Sequence, residues 1–297
     1  MAYIIRSMMS VPGIRERFIE KAQEIPADII LFDLEDSVAF ADKPKARALV
    51  AKALPAFPAR GRMLFVRVNG LETGLMEADL DAIVGPWLHG INVPKTHNAG
   101  VIQRIDHYLT FLEQVRGLEP GQVKLIPWIE TTEGVAKCYE VCAASPRLIG
   151  AAIGGEDYAT SLGVRRTHES NEINFARAAV ANAARACGLV PVDTPEPDYQ
   201  DVAHFEKDIL YARSIGYRGK FCIHPTQVEI ANRVFAPNPD DIAWARRVVE
   251  AYDEGERQGL GAVALDGYMI DRPIVLRARE LLDWQRQVEE REAALRS

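Results

Sequence analysis

Short apolar segments alternate with longer amphipathic segments along most of the chain. The apolar segments are continuous, without alternating polar residues, which is typical of strands buried on both faces of a parallel sheet. Eight strands are predicted, at Tyr3–Met9, Asp28–Leu34, Met63–Val68, Gly90–Val93, Val123–Ile129, Leu148–Ile153, Leu189–Val192 and Lys220–Ile223. The amphipathic segments predict helices at Arg15–Glu24, Pro44–Leu54, Leu75–Val84, Ala99–Arg116, Val135–Ala143, Glu172–Cys187, Val202–Ser214 and Pro225–Val234.

This alternation predicts an α/β fold, a closed (β/α)8 TIM barrel with a C-terminal helical extension. Eight strands, each followed by a helix, are the number that such a barrel uses. An open doubly wound sheet is the alternative, but its dinucleotide-binding motif, G-x-G-x-x-G, is absent from the chain. We expect the barrel to occupy residues 1–235 and the extension to occupy residues 236–297.

The extension has its own helix signals. Asn238 stands before Pro239 and two aspartates, which is the pattern of a capping residue, a proline in the first position and an acidic first turn. Three parts are predicted, a helix from Pro239 to about Gln258, a short stretch of mixed polarity over Ala262–Arg272, and a last helix from Pro273 to about Leu295. The extension is expected to be an appendage of the barrel rather than an independent domain.

Composition excludes several classes of protein. Hydrophobic residues make up 48% and charged residues 26% of the 297 residues, as in ordinary globular proteins. The formal net charge of −7 argues against a general nucleic-acid binder, which usually carries a basic excess. No apolar run approaches 18 residues, and residues 1–12 lack the features of a signal peptide. We therefore expect a cytoplasmic protein without a membrane span.

The four cysteines have two interpretations. Cys138 and Cys142 lie four residues apart on one predicted helix, so that a thiolate metal pair is conceivable. No further ligand stands near them, and free cysteine commonly behaves as a small buried hydrophobic residue. Together with Cys187 and Cys222 they do not form a disulfide framework in a chain of this length. We interpret them as buried thiols in a reducing compartment.

Acidic side chains follow two neighbouring strands, at the end of a barrel where catalytic groups gather. Glu130 follows the fifth predicted strand and Asp157 follows the sixth. Neighbouring strands lie ~4.8 Å apart. Two carboxylates so placed can hold one hard cation such as Mg²⁺ and leave coordination positions for water and substrate. Alternatively, each acid caps a helix or pairs with a base such as Arg67 or Lys95, and spacing alone leaves both interpretations open.

Basic residues near other strand ends suit an anionic substrate. Arg67 ends the third strand, and its guanidinium can bind a carboxylate with two hydrogen bonds. The alternative is an internal ion pair with Glu35 or Asp36, and both roles can hold at once. His224 follows the eighth strand, where a hydrogen-bonded structural role is favoured over that of a base. Arg6, Arg15, Arg17 and Lys21 surround a turn into the first helix whose N–H groups could receive a phosphate, although a solvated helix face is the alternative for Arg15 and Arg17.

An ordered set of motifs spans nearly the whole chain and resembles one family. The motifs are Arg6-Ser7 with Val11-Pro12-Gly13, Phe32-Asp33-Leu34-Glu35-Asp36-Ser37-Val38, Val66-Arg67-Val68-Asn69, Pro94-Lys95, Ile129-Glu130-Thr131, Gly155-Glu156-Asp157-Tyr158 with Leu162-Gly163, Lys220-Phe221-Cys222-Ile223-His224-Pro225, and Gly267-Tyr268-Met269-Ile270-Asp271. Each motif is weak, but the set resembles the citrate lyase β-subunit-like enzymes of the HpcH/HpaI aldolase superfamily. That group includes citramalyl-CoA, malyl-CoA and β-methylmalyl-CoA lyases.

The resemblance implies a (β/α)8 barrel, commonly a trimer or hexamer, that uses Mg²⁺, with Mn²⁺ as a substitute, and acts on a CoA or acyl-carrier thioester. It assigns residues as follows: Glu130 and Asp157 to the metal, Arg67 to the substrate carboxylate and thioester oxygen, Asp271 to acid–base chemistry, Glu35 and Asp36 to catalysis, Pro94 and Lys95 to substrate binding, and Arg6 and Lys21 to the CoA phosphates. In the CoA lyases the aspartate that Asp271 matches closes over a neighbouring subunit, so the extension is expected to be a lid that packs on or over another subunit.

The resemblance predicts a carbon–carbon lyase. It would cleave, or form by condensation, a 3-hydroxy-3-carboxyacyl-CoA such as citramalyl-CoA or malyl-CoA, with acetyl-CoA or propionyl-CoA and a 2-oxo acid as products. The alternatives are a malyl-CoA thioesterase and a citryl-thioester lyase subunit that works with an acyl carrier protein. A catalytically silent CoA-binding barrel is disfavoured because Arg67, Glu130, Asp157 and Asp271 are all present. The acyl group, the 2-oxo acid and the direction of the reaction stay open.

Overall fold

The computed structural model describes residues 3–296. Met1 and Ala2, part of the segment that was compared with signal peptides, and Ser297 lie outside the described residues. The chain divides between Arg233 and Val234 into two compact units. Within the described residues, no helix has the length and apolar character needed to cross a membrane.

The first unit is a closed barrel of eight parallel strands. The strands are β1 Ser7–Pro12, β2 Ile29–Asp33, β3 Met63–Arg67, β4 Gly90–Val93, β5 Lys124–Ile129, β6 Gly150–Ile153, β7 Val190–Asp193 and β8 Gly219–Cys222. They pair in chain order, and β8 closes the barrel by pairing with β1. The predicted (β/α)8 fold is therefore confirmed.

The barrel closes around an apolar interior. Its core includes Met8 on β1, Leu31 on β2, Phe65 on β3 and Trp128 on β5, all buried. Because strand residues alternate between the interior and the surrounding helices, and both sides are apolar, these strands read as continuous hydrophobic runs. The interior side chains pack below the residues at the carboxyl ends of the strands.

The first strand begins and ends later than predicted. The prediction was Tyr3–Met9, but β1 continues through Ser10 to Pro12, which pairs with Asp33 of β2. Ser10 and Pro12 read as turn residues in the sequence because of their local preferences. Pairing with the neighbouring strand overrides that preference and carries β1 to the same end of the barrel as β2.

Helices pack outside the strands. They are α1 Glu16–Lys21, α2 Lys43–Ala53, α3 Met76–Ile83, α4 Ala99–Val115, α5 Thr132–Ala136, α6 Cys138–Cys142, α7 Gly155–Leu162, α8 Asn174–Ala186, α9 Val202–Ser214 and α10 Pro225–Phe235. The predicted helix at 135–143 is two short helices that meet at Lys137. The prediction missed α7, a two-turn helix that ends at Gly163, whose φ is +79°. Cys138 and Cys142 are buried free thiols, and burial raises the pKa of Cys142 to about 12.

The second unit consists of two helices and a hairpin, namely α11 Pro239–Arg257, β9 Val263–Leu265, β10 Tyr268–Ile270 and α12 Arg272–Arg296. Asn238 caps α11 as predicted, accepting a hydrogen bond from Asp241 N at 2.7 Å. The stretch of mixed polarity is the hairpin. Its turn residues, Asp266 and Gly267, both have positive φ, which matches the twist of a two-residue hairpin. Asp271 follows β10, and its carbonyl accepts the first hydrogen bonds of α12.

Candidate active site

A cleft of about 430 Å³ lies at the carboxyl ends of the barrel strands. Its lining residues are Ser10, Pro12, Asp33, Asp36, Ser37, Arg67, Trp128, Glu130, Gly154, Gly155, Glu156, Asp157, Pro195, Phe221 and Ile223. Four of the residues predicted from the sequence, Asp36, Arg67, Glu130 and Asp157, are among them. Parallel strands end together at one rim of a barrel, which is why side chains far apart in the sequence meet here.

Arg67 is held rigidly at the end of β3. Its Nε donates to Asp33 Oδ1 at 2.7 Å and its Nη2 donates to Asp33 Oδ2 at 2.6 Å, so the pair is bidentate. The third nitrogen, Nη1, lies 3.2 Å from Glu35 Oε2 and 3.4 Å from Asp36 Oδ2. The guanidinium also lies 4.9 Å from the centre of the Trp128 ring, a cation–π contact. The internal ion pairing that the sequence left open is therefore present.

Asp33 is the main partner of Arg67, and the sequence interpretation proposed only Glu35 and Asp36 for that role. Asp33 and Arg67 are register partners on neighbouring strands. Burial alone would raise the pKa of Asp33, but the charge and hydrogen bonds of Arg67 hold that pKa below its ordinary value. Asp33 stays ionised and orients the guanidinium. The sequence did contain a signal for this pair, because Asp33 and Arg67 each end one of two consecutive strands.

Glu35 is a buried carboxyl with a perturbed pKa. Its Oε1 accepts from Lys95 Nζ at 3.0 Å, and its Oε2 accepts from the backbone N–H of Asp36 at 3.0 Å. Burial raises the pKa of Glu35 to about 7 even though the charge of Arg67 opposes the shift. Lys43 Nζ donates to the carbonyl oxygens of Leu34 and Glu35, each at 3.0 Å, and fixes this loop. A carboxyl whose pKa is raised to about 7 therefore lies beside the cleft, in contact with Arg67, which lines it.

Glu130 and Asp157 form the predicted carboxylate pair. Glu130 is 3% exposed, and its Oε1 accepts from the backbone N–H of Lys95 at 2.6 Å. Asp157 lies in the first turn of α7 and is partly exposed. Burial and the nearby negative charge of Asp157 raise the pKa of Glu130 to about 8. A cation between the two carboxylates would remove this repulsion, so the charges of the site fit a bound hard cation.

The donor set at this position is small. In the part of the chain that the structure describes, no group of three or more His, Cys, Asp or Glu side chains could hold a metal ion together. Two carboxylates with open coordination positions suit Mg²⁺, which usually keeps water and substrate oxygens as ligands. Soft metals would need cysteine or histidine ligands.

Gly154 allows this close packing. A Cβ at position 154 would lie 2.3 Å from Trp128 Nε1 and 2.4 Å from Glu130 Oε2. Only glycine can therefore stand where β6 meets α7 without displacing these side chains. Trp128 was not among the predicted site residues, although it stands two residues before Glu130 and hence on the same face of β5. Its indole packs against Phe221 in a tilted arrangement, with ring centres 4.5 Å apart, and both rings line the cleft with apolar surface.

The remaining predicted residues occupy several places. Pro94 is buried at the end of β4, next to Lys95. His224 pairs through Nδ1 with Thr226 Oγ1 at 2.9 Å and stacks on Tyr199, as expected for a structural group. Asp271 belongs to the second unit. Its acid–base role stays a prediction.

The structure does not bring Arg6 to the cleft. Arg6 precedes β1, so it stands at the amino end of the strand, opposite the cleft. It is 1% exposed, and its Nε lies 3.0 Å from Asp28 Oδ2. An arginine that is buried and ion-paired there cannot reach a ligand at the carboxyl ends, and we no longer assign it to CoA. The lining residues given above do not include Lys21, the exposed last residue of α1, whose contact with CoA stays a prediction.

Comparisons with known proteins agree with this architecture. The family model described as HpcH/HpaI aldolase/citrate lyase matches residues 6–225. The citrate lyase subunit beta of Haemophilus influenzae is 38% identical over 94% of this chain and 96% of that protein. The (3S)-malyl-CoA thioesterase of Cereibacter sphaeroides is 37% identical, covering 95% and 94%. The L-malyl-CoA/beta-methylmalyl-CoA lyase of Rhodobacter capsulatus is 33% identical, covering 91% of each chain.

Solved structures give the same result. The protein CitE from Mycobacterium tuberculosis, in complex with magnesium, acetoacetate and coenzyme A, superposes with a TM-score of 0.76 at 29% identity, covering 96% of this chain and 98% of that one. RipC from Yersinia pestis superposes with a TM-score of 0.68 at 29% identity, covering 82% and 100%. Because the family model matches most of the chain and relatives 33–38% identical match over 91–96% of their lengths, the chain belongs to the HpcH/HpaI aldolase/citrate lyase family.

Proposed function

We propose that this protein is a Mg²⁺-dependent carbon–carbon lyase for a 3-hydroxy-3-carboxyacyl-CoA such as citramalyl-CoA or malyl-CoA. The observation that carries the proposal is the cleft itself, in which the immobilised guanidinium of Arg67 and the carboxylate pair of Glu130 and Asp157 line the same space. One group suits an anionic oxygen of the substrate, and the other suits a hard cation. The magnesium and coenzyme A in the mycobacterial structure, and the CoA substrates in the names of two relatives, support the same chemistry.

Glu130 and Asp157 would hold the cation. When bound, Mg²⁺ would polarise the hydroxyl and carboxylate oxygens of the substrate and lower the pKa of the hydroxyl group. The buried position of Glu130 and its hydrogen bond from Lys95 N keep one carboxylate fixed, while partly exposed Asp157 can adjust. The two carboxylates therefore bind and orient the reacting end of the substrate.

Arg67 would stabilise the charge that the reaction creates. Breaking the carbon–carbon bond leaves a 2-oxo acid and the enolate of the acyl thioester. Asp33 and the Trp128 ring fix the guanidinium before substrate arrives, so no reorganisation is needed as the enolate forms. Positive charge at that point lowers the barrier to cleavage and, in reverse, to the condensation of a thioester with a 2-oxo acid.

Proton transfer completes the reaction. Glu35, with its pKa near 7, can accept or release a proton at neutral pH. Its carboxyl group is hydrogen-bonded to the Lys95 ammonium group. Protonation of the enolate carbon we assign to Asp271 of a neighbouring subunit, as the family motif in which it stands implies. In the cleavage direction the hydroxyl proton would pass, directly or through water, to the Glu35 carboxylate, the carbon–carbon bond would break, and Asp271 would give one proton to the enolate carbon, so the overall cleavage is balanced.

The charge of the cleft favours malyl-type over citryl-type substrates. Among the lining residues given above, five carry carboxyl groups and Arg67 alone carries a basic group. A citryl thioester has one carboxylate more than a citramalyl thioester, and that group would meet further negative charge. Similarity to the H. influenzae citrate lyase subunit favours the other possibility, and the alignment covers 96% of that protein. The length of the chain does not separate the two.

A product assay with purified protein tests the proposal. Malyl-CoA, β-methylmalyl-CoA, citramalyl-CoA and citryl-CoA are each incubated with Mg²⁺, and the 2-oxo acid, acyl-CoA and free CoA are quantified. A lyase releases a 2-oxo acid and a shorter acyl-CoA, whereas a thioesterase releases free CoA and a hydroxy acid. Turnover only with an acyl-carrier thioester would identify a citrate lyase subunit. Equal turnover after removal of Mg²⁺ with a chelator, or no product from any of these thioesters, would refute the proposal.

A further inference from the structure

Lys95 has an unusual backbone conformation at the end of β4. Its φ is +50°, in the left-handed region that residues with a side chain seldom adopt. Strain of this kind persists where the surrounding structure imposes it, and it is concentrated at functional sites. The surrounding structure must therefore impose the conformation of Lys95, and a functional role for it is expected.

The cause is the loop around it. Thr96 N donates to Trp128 O at 3.0 Å and ties the loop to β5, while Thr96 Oγ1 donates to Val93 O at 3.0 Å and ties it back to β4. Thr96 is fully buried. These two bonds hold the residue after Lys95 in one place, so the chain must turn at Lys95 itself.

The consequence is the direction of one N–H group. In the left-handed conformation, the backbone N of Lys95 donates to Glu130 Oε1 at 2.6 Å. Glu130 is the buried member of the carboxylate pair, so this bond decides which way its other oxygen faces. The ammonium group is engaged elsewhere, 3.0 Å from Glu35 Oε1. One residue thereby links the ends of three strands.

We propose that Lys95 is a positioning residue that acts through its backbone. The left-handed turn aims its N–H at Glu130 and orients that carboxylate for the cation, and this function does not require the lysine side chain. Outer hydrogen bonds of this type orient metal ligands and contribute to metal affinity. The inference rests on the proposed function in one respect, that Glu130 holds a divalent cation.

A matched pair of variants separates the backbone from the side chain. Lys95→Gly and Lys95→Val both remove the ammonium group, but glycine adopts positive φ freely whereas β-branched valine resists it. Each purified protein is titrated with MgCl₂ by calorimetry, and its fold is checked by circular dichroism. We expect Lys95→Gly to bind Mg²⁺ within about threefold of the wild type and Lys95→Val to bind at least about tenfold more weakly. Equal affinities of the two variants, or loss of binding in Lys95→Gly, would overturn the inference.

A measurement on the wild type covers the case in which Lys95→Val does not fold. The backbone amide of Lys95 is followed by NMR during hydrogen exchange and during a titration with MgCl₂. We expect this amide to exchange slowly and its resonance to shift when Mg²⁺ binds. Exchange as fast as that of a solvent-exposed loop amide, or a resonance that Mg²⁺ leaves unmoved, would contradict the assigned hydrogen bond.

These outcomes also distinguish the two proposals. A protein that shows the expected pattern of Mg²⁺ affinities but cleaves no CoA thioester refutes the proposed function and leaves the role of Lys95 intact. An active lyase whose glycine and valine variants bind Mg²⁺ equally refutes the role of Lys95 alone. A wild-type protein without affinity for Mg²⁺ refutes both.

Discussion

Two clusters of ion pairs in this barrel have similar residues and opposite properties. The first, which we call the closed cluster, joins Arg177, Asp193, Asp208 and Lys220. Arg177 bonds Asp193 with Nε and Nη2, at 2.9 and 2.6 Å, and Asp208 with Nη1, at 2.8 Å. Lys220 Nζ lies 2.6 Å from Asp193 and 2.5 Å from Asp208. Two cations face two anions, and every carboxylate oxygen has a partner.

The second, which we call the cleft cluster, joins Asp33, Glu35, Asp36, Arg67 and Lys95. Here three carboxyl groups share two basic groups, so the carboxyl groups are in excess by one. The excess is visible at Glu35, because burial raises the pKa of this carboxyl to about 7. In the closed cluster, by contrast, the charges of Lys220 and Arg177 outweigh the effect of burial and hold the pKa of Asp208 well below its ordinary value.

The difference lies in charge balance rather than in residue type. A balanced cluster satisfies its own groups and has nothing left with which to bind a ligand. An unbalanced one, lying beside the repelling pair of Glu130 and Asp157, has capacity for a cation and a proton. Chemistry is therefore expected at the cleft cluster, and stability is expected to depend on the closed cluster.

Removal of one of the two carboxylates that would hold the cation should give the largest effect. Asp157→Asn is expected to reduce Mg²⁺-dependent turnover by about 10³-fold, because one of two protein ligands is lost and the charge in the cleft is no longer compensated. The free energy of unfolding should stay the same or rise, since the change removes repulsion from Glu130. Steady-state kinetics and thermal unfolding measure the two effects.

The matched control for this variant is Glu133→Gln. Glu133 is an exposed carboxylate in α5, paired with Lys137 at 2.7 Å. Exposed pairs of this kind contribute little, so both turnover and stability should stay near the wild-type values. Equal losses of activity in Asp157→Asn and Glu133→Gln would contradict the metal assignment.

Removal of a cation from the closed cluster should instead cost stability. Lys220→Met leaves Asp193 and Asp208 with Arg177 alone, and an uncompensated buried charge costs about 3–5 kcal/mol of unfolding free energy. Urea unfolding monitored by tryptophan fluorescence measures this loss. Mg²⁺ affinity of the folded protein should be unchanged. A stable variant with weakened Mg²⁺ binding would mean that the two clusters are not separate in function.

The pH dependence of stability tests the surplus carboxyl. The folded chain keeps the Glu35 proton up to about pH 7, whereas a carboxyl with the ordinary pKa of 4.5 releases it earlier. The folded state therefore binds more protons between these values, and this carboxyl makes the free energy of unfolding fall as the pH rises from 4.5 to 7.

Glu35→Gln should abolish that fall. Relative to the wild type, the variant is expected to gain stability between pH 4.5 and 7, by at most about 3 kcal/mol, and to gain no more above pH 7. Thermal unfolding of both proteins across this range, with a chelator present throughout, provides the comparison. A difference that does not vary with pH would show that the Glu35 pKa is not raised.

The smallest expected effect concerns the spacing around Glu130. Gly154→Ala places a Cβ 2.4 Å from Glu130 Oε2, so the carboxylate must move. We expect Mg²⁺ to bind about tenfold more weakly and the free energy of unfolding to fall by roughly 1–3 kcal/mol, because Trp128 and Glu130 must both move. Calorimetry measures the affinity, and Gly261→Ala, at a glycine with open space around it and no positive φ, is the comparison variant. An unchanged Mg²⁺ affinity in Gly154→Ala would argue against a ligand role for Glu130.

Much of the candidate site was predictable because continuous apolar runs in the sequence show where the strands end. Glu130 stands directly after a continuous apolar run, Arg67 lies at the end of one and Asp157 follows one within four residues, and parallel strands in a barrel end on the same side. Asp36 was found in the same way. The partner of Arg67 was predicted incompletely, because a sequence does not show that Asp33 and Arg67 are register partners.

Local preferences account for the errors. Arg6 stands in a motif with β1, but the strand separates it from the cleft, and Asp28 pairs with it at the amino end. Trp128 looked like one more apolar residue, although it contacts Arg67 and encloses the space beside Gly154. Their roles follow from which neighbour each side chain meets, and that depends on barrel closure.

The sequence by itself determined the order of the eight barrel strands and most of the helices that follow them, the closed barrel and the positions of the chemical groups at the strand ends. Apolar periodicity and end position are local properties, and the hydrophobic effect translates them directly into buried strands. Only the tertiary structure decided which charges balance, which pKa values are raised, and why Lys95 turns toward Glu130. Those features depend on distances of a few ångströms between segments far apart in the chain, because electrostatic interactions in a buried site change steeply with separation and with access of water.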